Sequence, residues 1–137
     1  MKKYFVLLSL LSLMSCPPED DPSTPDDPIV GKWQYSESFR DGVKIEVKDC
    51  DLKETLSFGP EGRFIHETLK DENTDGFCEL NEIVDGTWKN QGNKYTIVTP
   101  IDTETYTIFF ESNKFSYEED VEEDGVTYID RYVYIKS

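Results

Sequence analysis

Turn-forming pairs cut residues 29–137 about every 8–12 positions, and between the cuts large apolar side chains alternate with polar ones. The cuts are Asp41-Gly42, Gly59-Pro60-Glu61-Gly62, Gln91-Gly92-Asn93, Ser112-Asn113 and Asp124-Gly125, all combinations that supply a positive φ or a preset bend. A period of two belongs to a pleated strand with one buried face, whereas helical spacing is hard to find in this chain. The pattern predicts strands over about 30–40, 43–48, 52–58, 63–70, 86–90, 94–99, 104–111, 114–120 and 126–136, joined mostly as antiparallel hairpins. Eight or nine short meandering strands in one domain favour an all-β, antiparallel up-and-down barrel, because closure removes the edges that an open sheet leaves exposed.

Two tryptophans anchor that expectation. Each follows a glycine by two positions, in Gly31-Lys32-Trp33 and Gly86-Thr87-Trp88. Glycine lets the backbone turn closely at a strand entrance, and the indole then buries a large apolar area. Trp33, Tyr35 and Phe39 share one face of the first strand; Leu52, Leu56 and Phe58 share one face of the third; Tyr95 with Ile97, and Tyr106, Ile108 and Phe110, do so later. The last strand carries large residues at both parities and is expected to close the structure. Trp33, Trp88, Tyr128, Tyr132 and Tyr134 bound the expected interior and are the candidate ligand-pocket residues, with plain wall packing as the alternative. In a domain of 109 residues that interior is expected to be mostly filled by side chains.

The N-terminus is of another kind. Lys2 and Lys3 precede an apolar run over residues 4–14, whose 11 residues fall far short of the roughly 20 that a spanning helix needs. Residues 1–15 read as a signal peptide, and Leu13-Met14-Ser15-Cys16 resembles the lipobox of bacterial lipoproteins, which implies lipid on Cys16. Several acyl chains such as palmitate on one residue, at about 0.8 kcal/mol per buried methylene, hold a protein on a membrane. Residues 16–28 then read as a tether, rich in Pro and Asp and extended by like charge. The expected localisation is that of an outer-membrane lipoprotein facing the periplasm or the cell surface. A net charge of −15 excludes nucleic acid as a partner and leaves the lipid as the membrane contact.

A lipoprotein signal, Gly31-Lys32-Trp33, a central cysteine pair and Gly86-Thr87-Trp88 in that order resemble the lipocalin-like domain of small bacterial lipoproteins, over about residues 29–137. The resemblance implies a barrel whose first-strand Trp packs at a closed end beneath an Arg from a late strand; Arg131 would then stack on Trp33. With Cys16 taken by lipid, Cys50 and Cys78 read as a disulfide in an oxidising compartment, two buried thiols being the alternative.

The sharpest chemical motif runs from Asp71 to Glu82. Asp71, Asn73, Asp75, the Phe77 carbonyl and Glu82, with a turn at Gly76, match the oxygen-donor spacing of a calcium loop, which makes calcium the one candidate cofactor; a solvated hairpin loop is the alternative. The acids at 118–120 and 122–124 read as a solvated hairpin tip, and His66 as a half-exposed strand residue. No catalytic residue is assigned: the chain has no Gly-x-Ser-x-Gly, His-Glu-x-x-His or phosphate-loop motif. These features point to a lipid-anchored, exported binding module for a small molecule or a surface partner, rather than to an enzyme. An accessory protein with a filled barrel and a calcium-ordered loop is the second choice, and a carboxylate-based hydrolase the third.

Overall fold

Every expected turn pair reverses the chain. In the computed structural model, which describes residues 26–71 and 76–137, β1 (Gly31–Arg40) passes through Asp41-Gly42, at φ 47° and 80°, into the short β2 (Val43–Ile45). A single 3-10 turn at Asp51–Lys53 leads into β3 (Thr55–Phe58), and residues 59–62 carry the chain to β4 (Arg63–Lys70). Then follow β5 (Glu79–Gln91), β6 (Lys94–Val98), β7 (Thr103–Thr107), β8 (Phe109–Glu111), β9 (Lys114–Glu123) and β10 (Val126–Lys136). Asp124 and Gly125, at φ 52° and 77°, form the two-residue loop whose left-handed backbone matches the right-handed twist of the flanking strands.

All pairings are antiparallel, and the strands lie in the order β7-β6-β5-β4-β3-β1-β10-β9-β8, with β2 beside β1. The two ends of that path, β7 and β8, are separated by Ile108 alone. The predicted strand 104–111 is therefore one chain segment shared between two neighbours: its first part pairs with β6 and its last part with β9. Ile108 sits at the change of partner, with its side chain buried and its N–H donating to the Asn93 carbonyl at 2.9 Å. The result is a nearly closed all-β barrel, and the Tyr106 and Tyr117 rings meet across the seam with centroids 4.7 Å apart.

Strand bounds differ from the expectation at β2, β3, β5 and β9. β2 ends at Ile45 and residues 51–53 form the 3-10 turn. β9 runs on to Glu123, so the acids at 118–120 and 122–123 lie in a strand rather than at a hairpin tip. β5 starts at Glu79, seven residues before 86, because β4 extends to Lys70 and pairs with it there, with a bulge between Thr68 and Leu69. A bonded partner strand overrides the weak strand preference of so polar a stretch. Cys50 and Cys78 form the expected disulfide, with Cα atoms 5.4 Å apart, and fasten the loop after β2 to the start of β5.

One end of the barrel is a solid floor. Trp33 and Trp88 are both 2% exposed and pack with Ile29, Phe58, Tyr95 and Phe115. Their ring N–H groups donate to the carbonyls of Ile29 (2.7 Å) and Gly59 (2.9 Å), which removes the cost of burying them. The two glycines that precede them act differently. Gly31 opens β1 at φ 136°, a conformation that side chains rarely adopt. Gly86 lies within β5 instead of at a strand entrance, and a Cβ there would stand 2.3 Å from the Val98 carbonyl oxygen of β6.

Two further expectations are corrected at the floor. Arg131 does not stack on Trp33: the β1–β10 register puts it opposite Phe39, and its guanidinium lies 4.5 Å from that ring, while Lys136, opposite Trp33, lies 5.2 Å from the indole. Asp27, read as tether, is 7% exposed. Its carboxylate accepts hydrogen bonds from the Tyr95 hydroxyl (2.8 Å), the Asn90 amide (2.6 Å) and the Ile29 N–H (2.9 Å), so the barrel takes in the last residues of that segment as a plug. Cys16 and residues 1–25 lie outside the described residues.

Candidate functional site

Above the floor the interior is not filled. Leu56, Phe58, Phe64, Ile97, Ile108 and Phe115 line a cavity of about 290 Å³, closed below by the tryptophan layer and reaching the opposite mouth at the β6–β7 loop. The alternation of each strand sends these side chains inward from β3, β4, β6 and β9 and from the seam. On the side of β9 and β10 the wall is tyrosine. Tyr106, Tyr117 and Tyr134 face the cavity, with Tyr117 and Tyr134 nearly parallel at 6.3 Å. A second, more open hollow of about 470 Å³ shares Glu54, Tyr117 and Tyr134 with the first and leads out beneath loop 46–51.

Carboxylates stand among these rings. Glu54 accepts a hydrogen bond from the Tyr134 hydroxyl at 2.9 Å, and His66 Nε2 lies 2.9 Å from the same oxygen. Glu104 accepts a hydrogen bond from the Tyr106 hydroxyl. Burial pushes the phenols of Tyr106, Tyr117 and Tyr134 well up, chiefly because a phenolate would be poorly solvated there. Burial also raises Glu119, and the negative charge of Glu104 raises it further. Asp130, buried in the outer hollow, behaves oppositely: Arg40 grips it in a two-pronged bond (2.8 and 2.7 Å) and holds its pKa below the usual carboxylate value. Arg40 also bonds Glu123 and lies 4.7 Å from the Tyr128 ring.

Of the residues singled out from the sequence, Tyr134 lines both hollows and Tyr132 the outer one. Trp33 and Trp88 form the floor instead of the cavity wall, and Tyr128 is held under Arg40. His66 is the half-buried strand residue expected, and it borders the cavity. For the calcium pattern, Asn73 and Asp75 lie outside the described residues. Asp71 follows the end of β4, Phe77 precedes β5, and Glu82 pairs with Thr68 within β5. Among the described residues no group of His, Cys, Asp and Glu side chains is placed to hold a metal ion.

Sequence reasoning missed Glu54, Glu104, Tyr117 and Glu119. For two of these acids a signal existed. Glu104 shares its parity with Tyr106 and Ile108, a ladder already read as inward, and Glu119 shares its parity with Phe115 and Tyr117, a ladder that the same alternation would have given.

Residues 29–128 match a family model described as lipocalin-like domain. No curated protein and no solved structure matches the chain.

Proposed function

The chain belongs to the lipocalin-like domain family, and from that premise we propose that it is an exported binding module which takes a small molecule into the open half of its barrel and is held on a membrane by lipid on Cys16. One observation carries this reading: a tryptophan-sealed floor beneath an aromatic-lined cavity of about 290 Å³. A concave apolar site with a few convergent polar groups is where proteins of this size hold small ligands. Support for export and anchoring comes from the N-terminal sequence and from the Cys50–Cys78 bond, which suits an oxidising compartment.

The test uses a neutral, environment-sensitive probe, N-phenyl-1-naphthylamine, with full-length protein carrying Cys16→Ser so that no acyl chain competes. We expect saturable fluorescence enhancement at about one probe per chain, and a loss of about tenfold or more in affinity for Val84→Trp, which fills the cavity from β5. Enhancement that never saturates, or that Val84→Trp leaves unchanged, would dismiss the cavity as a ligand site.

A further inference from the structure

We propose that the ligand of this cavity is an organic cation: an amine with an apolar, ring-sized body, whose charged end lies among Glu54, Glu104 and the tyrosine faces. This rests on the reading of the cavity as a ligand site and adds the sign of the ligand's charge. Among the described residues the charged groups on the wall of the inner hollow are Glu54, Asp102 and Glu104, with no Lys or Arg, and His66 stands against Glu54. In the outer hollow Glu46, Asp51, Glu54, Glu119 and Asp130 face one lysine, Lys48. Arg40 is engaged by Asp130 and Glu123.

Such acids on an open surface would only be solvated. Here Asp102 and Glu104 stand exposed at the mouth of an aromatic hollow while Glu54, Glu119 and Asp130 are partly or wholly withdrawn from water, and beside those three each Coulomb interaction is stronger than in bulk water. Burial first, and the charge of Glu104 second, hold the Glu119 carboxyl above its ordinary value. A fatty carboxylate placed in this hollow would add another charge of the same sign. A neutral ligand would fill the apolar half and leave the acids as they are. An ammonium would give Glu54 and Glu104 a charge-assisted donor, and a carboxylate has acceptor capacity beyond the one phenol that each already receives. The faces of Tyr106, Tyr117 and Tyr134 supply the negative ring surface that attracts a desolvated cation.

Three probes of one shape and different charge decide the matter by calorimetry on the full-length Cys16→Ser protein: tryptamine (cation), 3-ethylindole (neutral) and indole-3-propionate (anion). We expect tryptamine to bind at least about tenfold more tightly than 3-ethylindole, with indole-3-propionate weakest, since a hydrogen bond to a charged group is worth about that factor. Glu104→Gln, and separately Glu54→Gln, should collapse the tryptamine-to-3-ethylindole ratio towards one; if Glu54→Gln fails to fold, as its melting curve will tell, Glu104→Gln decides alone. If 3-ethylindole binds as well as tryptamine, or the ratio survives Glu104→Gln, the charge assignment is wrong and the cavity remains a ligand site. If none of the three binds and N-phenyl-1-naphthylamine does not either, both fall together.

Discussion

At the scale of single residues, the two Gly-x-Trp motifs look alike in sequence and differ in what their glycines do. A Cβ at Gly31 would meet the movable end of the Lys136 side chain, whereas one at Gly86 would strike the backbone of β6 at 2.3 Å. Gly86→Ala must therefore push β5 from β6, and it should cost about 1–3 kcal/mol in urea unfolding, the usual range for overpacking. Asp130 sets a pH dependence. Arg40 depresses its folded pKa below 3.8, so the stability it contributes is complete above that value and is lost as pH falls through the lower folded value. The difference in urea midpoint between wild type and Asp130→Asn should be clear at about pH 6 and shrink at about pH 2.5. An unchanged difference would mean that the ion pair is not the source. Glu119 runs the other way, because its folded pKa is raised and its charged form is the disfavoured one. The core ladders of Trp, Tyr and Phe were legible residue by residue because alternation sorts apolar side chains by face. Asp27 was not: its burial depends on Asn90 and Tyr95, 63 and 68 positions away, and nothing in a Pro- and Asp-rich stretch announces them.

At the scale of elements, nearly every strand and turn was legible, because turn chemistry and period-two patterning agree along most of the chain. What alternation cannot tell is where partners change. Residues 104–111 read as one strand, and only the pairing shows that Ile108 divides them between β6 and β9. The same gap hid the true length of β5, whose polar first third is a strand because β4 pairs with it. It also misplaced Arg131, since register and not proximity to the chain end decides which cation covers Trp33. The disulfide joins the loop after β2 to the start of β5, across a separation of 28 residues. Chain-entropy reasoning gives such a closure about 3–4 kcal/mol. Reduction of the wild type, or the paired change Cys50→Ala with Cys78→Ala, should lower the unfolding free energy by about that amount; a loss below about 1 kcal/mol would mean that the reduced chain is already constrained.

At the scale of the whole molecule, charge and shape act together. A net charge of −15 makes the folded state repel itself, so raising NaCl from about 0.05 to 0.5 M should raise the melting temperature, and a falling one would contradict this. The barrel class was legible from strand count and spacing, but the hollow was not. Small barrels are commonly filled, and the outcome here depends on small and polar inward side chains, such as Val84 and Glu104, in the half away from the tryptophans. The floor gives the molecule a polarity. Asp27 and Ile29 plug it from the N-terminal side, and the Ser137 N–H closes on Lys32 beside them, so both ends of the described chain leave from the same pole. The lipid proposed on Cys16 would therefore join the barrel from its sealed pole, on the side away from the mouth of the cavity.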